Sequence, residues 1–205
     1  LSKIETLSKQ FKLQMEAAKK AEIYEHTFIA FGSLLGYVRE RGFIGHDNDM
    51  DVGILVDKIT TEQIDVYIKE MSKPLEHSPK GLLSYRGLFE INRHTGKHFW
   101  ISLRMSPKST CYKCCNWFMF EHKGYMYHHK GGSSKVKGLP ARYINKIGHE
   151  VEYLGTKVHI PRYAGACLDF WYPDWDTKRT GVTKSEGIEL KVKSWAEPSK
   201  WEFVK

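Results

Sequence analysis

Thr27-Phe28-Ile29-Ala30-Phe31-Gly32-Ser33-Leu34-Leu35-Gly36-Tyr37-Val38-Arg39-Glu40-Arg41-Gly42-Phe43-Ile44-Gly45-His46-Asp47-Asn48-Asp49-Met50-Asp51-Val52-Gly53-Ile54-Leu55-Val56 is the stretch whose reading decides the fold. Thr27 to Phe31 is short, aromatic and β-branched, the composition of a buried strand, and it ends at Gly32. Ser33 can then cap a helix from Leu34 to about Arg41, which Gly42 stops. From His46 the chain alternates acidic with other residues and turns apolar through Val56, the pattern of a second strand.

In a strand, residues two apart face the same way and lie about 7 Å apart. Asp47, Asp49 and Asp51 are therefore expected to present carboxylates on one face. Three like charges repel unless a divalent cation offsets them, and oxygen-only ligation suits Mg²⁺ or Mn²⁺ better than zinc. The plain alternative is an acidic turn whose side chains cap local amides. Gly32-Ser33 favours the cation, because glycine lets a phosphate approach the backbone while a helix start offers amides and a favourable dipole. A lone Gly-Ser is a weak signal; its place between strand and helix, with acidic residues close behind, gives it weight. Arg39 would add a charge-assisted contact to a phosphate or stand as a surface charge.

Outward from this stretch, Ile4, Leu7, Phe11, Met15 and Ala18 recur at three and four, one apolar stripe on a packing helix over residues 1–20. Thr60 with Gln63 resembles a capping box, and Ile64, Tyr67, Ile68 and Met71 form the apolar face of the helix it starts, which Pro74 ends. Leu82 to Asn92 and His98 to Met105 read as a hairpin turning at His94-Thr95-Gly96-Lys97, and Trp117 to Phe120 with Gly124 to His128 as another. Lys130-Gly131-Gly132-Ser133-Ser134-Lys135 is a loop too short to separate domains. Val151 to Pro161 is a small hairpin leading into a helix around Tyr163 to Trp171. No internal repeat is visible. Interleaved helices and strands predict an α+β domain of α/β type, a mixed β-sheet flanked by helices, with residues 1–205 as one domain.

With 205 residues, 41% hydrophobic and 13% aromatic, the chain can build a core. No apolar run is long enough to span a membrane, and the N-terminus lacks the regions of a signal peptide. A start at Leu1 suits an excised soluble domain. The formal charge of +8 favours polyanionic partners. The densest basic stretch, Lys123 to Lys146, carries no nucleic-acid-binding motif, which argues against RNA or DNA. Cys111, Cys114 and Cys115 are crowded, with Cys167 far away. A structural zinc site could draw on Cys111, Cys114 and Cys115 with His122, His128 or His129, but strong zinc signatures show two spaced pairs. Reduced, partly buried thiols are the default expectation.

The run from Phe31 through Gly53 resembles the signature of the LicD family, which includes bacterial phosphocholine transferases, fukutin and fukutin-related protein. A second patch, Tyr153-Leu154-Gly155 through Ile160-Pro161 to Leu168-Asp169-Phe170-Trp171-Tyr172-Pro173-Asp174-Trp175, is similar to the family's closing segment, with Pro173 where a Gly is usual. The resemblance spans roughly residues 10–180. It implies a nucleotidyltransferase fold, a phosphate turn at Gly32-Ser33, a metal-binding pair at Asp49 and Asp51, and a further acidic position at Asp47. It also implies transfer of a phosphorylated small alcohol, such as phosphocholine or ribitol phosphate, from a CDP-linked donor to a glycan hydroxyl. The family and fold place a third carboxylate on a later strand, where Trp100-Ile101-Ser102-Leu103 offers only a serine; Glu90 is the leading substitute, with Glu121 or Asp169 as others.

The expected protein is thus a metal-dependent transferase in which Asp49 and Asp51 hold Mg²⁺ or Mn²⁺, Gly32 and Ser33 hold phosphate, Arg39 supports them and Asp47 is an additional or outer ligand. Trp171, Tyr172 and Trp175 stack on a base or sugar, or simply fill the core. Two other readings stand beside it: a nucleotide- or glycan-phosphate-binding module that has lost turnover, and a nucleotidyltransferase acting on RNA or a small molecule. The compartment follows the source, cytoplasm for a bacterial or viral protein and Golgi lumen for a eukaryotic fukutin-like one.

Overall fold

The computed structural model describes residues 2–76, 90–92, 97–100, 113–128, 135–176, 188–191 and 202–204, and the side chains of 2–71, 115–128 and 138–176. Helix α1 (Lys3–Lys20) opens on a capping box: the Glu5 amide donates to Ser2 Oγ and the Ser2 amide to the Glu5 carboxylate. Leu7, Phe11, Met15 and Ala18 are buried as the stripe predicts, whereas Ile4, in the first turn, is 53% exposed.

Strand β1 (Thr27–Ile29) is wholly buried. Helix α2 (Phe31–Leu35) begins earlier than expected, so Gly32 and Ser33 lie inside its first turn rather than before it, and Ala30 occupies the N-cap. It runs on as one π-helical segment, Gly36–Glu40, and ends at Arg41, in the left-handed region at φ 56°, rather than at Gly42. The reason is a close approach: a Cβ on Gly36 would lie 2.5 Å from the Gly42 carbonyl oxygen, and the Gly42 amide donates to the Gly36 carbonyl. The left-handed turn therefore falls one residue before the glycine. Strand β2 (Asp49–Leu55) starts later than His46, because Asp47 sits in a turn closed by its amide on the Ile44 carbonyl.

Helix α3 (Thr61–Glu76) has the expected capping box, with Thr60 and Gln63 exchanging hydrogen bonds, and it buries Ile64, Tyr67 and Met71. It does not stop at Pro74; this near its end a proline costs little helix, since few turns remain to be broken. Strands β3 (Glu90–Asn92) and β4 (Lys97–Trp100) form a separate antiparallel pair. Strands β5 (Lys113–His122) and β6 (Tyr125–His128) make the second hairpin, turning at Lys123 and Gly124 with φ of 49° and 82°. Strand β7 (Lys135–Pro140) precedes the hairpin of β8 (Ile147–Tyr153) and β9 (Thr156–Pro161), which leads into α4 (Ala164–Trp171). Strands β10 (Ile188–Lys191) and β11 (Glu202–Val204) follow. Residues 130–134 and Ser102, in the expected loop and the expected carboxylate strand, lie outside the described residues.

Among the described residues nine strands join in the order β11-β10-β7-β6-β5-β2-β1-β9-β8. β2 is antiparallel to β1 and parallel to β5, so the sheet is mixed and the architecture α+β. Alternation along β5 sorts the layers: Asn116 bonds Gln14 of α1 and Tyr67 of α3, while Trp117, pointing the other way, meets Phe31 of α2, which in turn meets Trp171 of α4. Among the described residues no helix is long and apolar enough to cross a membrane.

Candidate functional site

The opening end of β2 runs beside the first turn of α2, and two hydrogen bonds lock them. The Asp51 amide donates to Ser33 Oγ at 2.8 Å, and the Gly32 amide donates to Asp51 Oδ2 at 3.2 Å. The helix is therefore capped from across the sheet by an aspartate, not by Ser33 as the local sequence suggests. The Gly32 amide thus orients Asp51. A side chain at Gly32 would displace the Asp47 carboxylate, since a Cβ would stand 2.7 Å from Asp47 Oδ2 and 3.4 Å from Asp51 Oδ2. The same numbers show that Asp47 and Asp51 converge on this glycine although Asp47 lies off the strand.

Parallel pairing sets Cys115 of β5 opposite Asp51. One oxygen each from Asp49 and Asp51 and the Cys115 sulfur all lie within 4.8 Å of one another, and the thiol donates to Asp49 Oδ2 at 3.8 Å. Two residues further along β5 the Trp117 indole donates to Asp51 Oδ1 at 2.7 Å. Asp51 is 7% exposed. Burial pushes its carboxyl up to about 7, with the charges of Asp49 and Asp47 adding and the hydrogen bonds from Trp117 and Gly32 opposing. At neutral pH the metal-free carboxyl is poised between its two forms.

An aromatic wall closes one side. Phe31 lies 5.2 Å from Trp117, 5.0 Å from His128 and 4.4 Å from Trp171, centroid to centroid. Phe31 holds φ 42°, a conformation that costs a bulky residue roughly 1–3 kcal/mol. The three rings around it fix that turn, and the turn aims the next amide, that of Gly32, at Asp51. Tyr172 and Tyr153 border the carboxylates as well: burial raises both hydroxyls above the usual phenol range, and the charges of Asp51 and Asp47 raise them further.

The other expected residues fall elsewhere. Arg39 pairs with its neighbour Glu40 at 2.9 Å. Asp169 is exposed and accepts the Trp175 indole at 2.7 Å. Glu121 is six residues along β5 from Cys115, about 20 Å at strand rise, too far to reach the cluster. The backbone of Glu90 is in β3, outside the large sheet, and its side chain is not among those described. Cys111 and the side chain of Cys114 lie outside the described residues, and Cys115 faces the aspartates. The turn at Pro173 forms with Asp174 at φ 66°, its neighbours bonded from the Trp175 amide to the Tyr172 carbonyl.

Sequence reading missed Cys115 and Trp117 as members of this cluster. Their signal was the alternation Cys115-Asn116-Trp117, which becomes legible once β5 is extended back to Lys113. Residues 25–163, more than half of the chain, match the family model described as LicD/FKTN/FKRP, nucleotidyltransferase domain. No curated protein matches significantly.

Proposed function

The chain belongs to the LicD/FKTN/FKRP family, a membership that points to a transferase of phosphorylated groups, and from that premise we infer that it moves a phosphorylated small alcohol or sugar from a nucleotide-linked donor, CDP-linked by resemblance, to a glycan hydroxyl. The observation that carries this reading is the convergence of Asp47 and Asp51 on Gly32 at the start of α2, with a carboxylate oxygen of Asp49 within 4.8 Å of one from Asp51. Carboxylates so close together repel unless a cation offsets them, and Gly32 leaves a cradle that a side chain would fill. Taken by themselves, the aspartates offer the oxygen ligands that suit Mg²⁺ or Mn²⁺, held by Asp49 and Asp51 with Asp47 alongside. When bound, the cation supplies charge neutralisation to the donor's pyrophosphate.

The chain's own work in this reading is positioning. Ser33 and the α2 turn hold a phosphate oxygen, Gly32 and Trp117 keep Asp51 aimed, and the wall of Phe31, Trp117 and Trp171 shields the reacting phosphorus from water. The acceptor hydroxyl oxygen forms a bond to the donor's β-phosphorus as the bond to the nucleoside monophosphate breaks, and the hydroxyl proton passes to a carboxylate of the cluster. Domain extent follows the same premise: one nucleotidyltransferase-like unit with α1 packed on it.

The test is a set of CDP-, UDP- and GDP-linked donors offered with and without Mg²⁺ or Mn²⁺. A donor at a hundred times its dissociation constant stabilises the folded protein by roughly 2.7 kcal/mol. The expected result is cation-dependent stabilisation by a CDP-linked donor and release of CMP, both lost in Asp51→Asn. Equal behaviour of wild type and variant overturns the reading. A thiol rather than a carboxylate beside Asp49 and Asp51 favours a second one, a phosphate-binding module without turnover; binding without CMP release would support it.

A further inference from the structure

Among the described residues the one group of three potential metal ligands is made of Asp49, Asp51 and Cys115. Register puts Cys115 in the cluster, because β2 and β5 run parallel with Asp51 paired to Cys115, and strand alternation sends Asn116 to the opposite face. Its sulfur stands 3.8 Å from Asp49 Oδ2. Two donors on one tetrahedral zinc, at about 2.0–2.2 Å for oxygen and 2.3 Å for sulfur, are separated by about 3.5 Å. The Asp49 and Cys115 donors are already near that spacing with a proton on the sulfur, and the Asp51 oxygen lies within 4.8 Å of both.

Donor chemistry then decides the ion. Mg²⁺ asks for oxygen ligands in octahedral array and keeps its waters, whereas a thiolate stabilises softer ions. We propose that Cys115 is the third protein ligand of the Asp49–Asp51 site, so that this chain takes a thiophilic divalent cation of the zinc and cobalt class in preference to Mg²⁺. The thiol loses its proton to solvent as the ion binds, and the set of two carboxylates and one thiolate leaves further coordination positions for water or phosphate oxygens. The proposal rests on the reading of Asp49 and Asp51 as a cation site, and it replaces the Mg²⁺ or Mn²⁺ of the general reading. It also accounts for the position: where an all-oxygen site needs a third carboxylate, a thiolate supplies the same negative charge.

The experiment uses the full chain, stripped with chelator and titrated with Co²⁺, Zn²⁺ and Mg²⁺, alongside Cys115→Ser, Cys115→Asp and Asp51→Asn. Co²⁺ reports its ligands by absorption, with a sulfur-to-metal charge-transfer band when a thiolate is bound. The expected result is a sulfur band in the wild type that Cys115→Ser abolishes, with Zn²⁺ affinity falling about 10- to 100-fold. Cys115→Asp should lose the band and shift the Zn²⁺ to Mg²⁺ preference at least tenfold toward Mg²⁺. Circular dichroism checks that the near-isosteric serine variant is folded. If Cys115→Ser keeps the band and the Zn²⁺ affinity, the sulfur comes from another cysteine and the proposal falls. If Co²⁺ binds without a sulfur band and Asp51→Asn abolishes that binding, the cation site stands and Cys115 is not its ligand. If Asp51→Asn binds every ion as the wild type does, the cation site itself falls, and the proposal with it.

Discussion

Strand β5 separates two polar clusters that solve opposite problems. On one face Asn116 Oδ1 accepts from Gln14 Nε2 at 2.6 Å and from the Tyr67 hydroxyl at 2.7 Å, so α1 and α3 are tied to the sheet by neutral groups deep in the core. On the other, Asp51 accepts from the Trp117 indole and the Gly32 amide, which orient the carboxylate without neutralising it. The first cluster has no charge to balance, although Gln14 Oε1 and Asn116 Nδ2 are buried without a hydrogen-bond partner among the described residues; the second carries charge that only something from outside can balance. Burial without balance is costly in either setting, and it is tolerated where a ligand repays it. On the function proposed above, one face of β5 stabilises the protein and the other binds.

Removing the charge tests the binding face most severely. Asp51→Asn should lower CMP release from the donor about 10²- to 10³-fold, the range seen when one group that stabilises transition-state charge is removed. At pH 8, where the wild-type carboxyl is ionised, the metal-free variant should lose little stability, because removing a buried charge offsets the one donor, Trp117 or Gly32, from which the amide NH₂ cannot accept. A steady-state assay paired with urea unfolding reads both, and a variant that is both active and unstable would reverse the assignment of the two faces.

The same face should also make the metal-free protein sensitive to pH. Asp51 is held at about 7 in the folded state against about 3.8 when unfolded. Between those values the folded protein binds the extra proton, so the stability that Asp51 contributes is greatest below pH 4 and is lost as pH rises through 7. A shift of this size is worth about 4 kcal/mol if nothing relaxes, and less if the site opens to water. Urea unfolding in chelator at pH 4.5, 6 and 8 should show the decline, and Asp51→Asn should flatten it.

The opposite cluster is the control. Asn116→Ala strands the Tyr67 hydroxyl and the Gln14 amide in the core, which costs about 1–3 kcal/mol, more than the loss of the bonds alone. The effect should be constant across pH, and turnover per folded molecule should stay within about twofold of wild type, as the site is on the other face.

What could be read from the sequence divides along similar lines. The α1 stripe, the Thr60 capping box and two hairpins are local patterns, written within a turn or two of chain. The acidic stretch was legible because residues 47 to 51 are neighbours whatever the tertiary structure. The pairing of β2 with β5 was not, since residues more than sixty positions apart share a register that neither strand's periodicity states. Sequence proximity therefore groups Cys115 with Cys111 and Cys114, whereas the fold sets it beside Asp49. The roles of Gly32 and Ser33 were half legible. The pair does mark the start of α2, but their hydrogen bonds go to Asp51, and the left-handed turn at Phe31 that aims them depends on rings from three other elements.

The smallest expected effect separates orientation from packing on the binding face. Trp117 both fills space beside Phe31 and His128 and donates to Asp51 Oδ1. Trp117→Phe keeps a ring in the wall but removes the donor. Any packing loss is independent of pH. The lost hydrogen bond is not, because an indole N–H favours the ionised carboxylate over the protonated one, and its removal raises the Asp51 carboxyl further above its present value near 7. The metal-free variant should therefore lose about 1 kcal/mol more at pH 8 than at pH 5, on the scale of one hydrogen bond to a charged group less its competition with water. The midpoint of the pH-dependent decline in stability should move upward, in the opposite direction to any treatment that adds a counter-charge. Unfolding curves of wild type and variant at the two pH values decide it: an equal loss at both would make Trp117 a packing residue, and the aim of Asp51 would then rest on Gly32 alone.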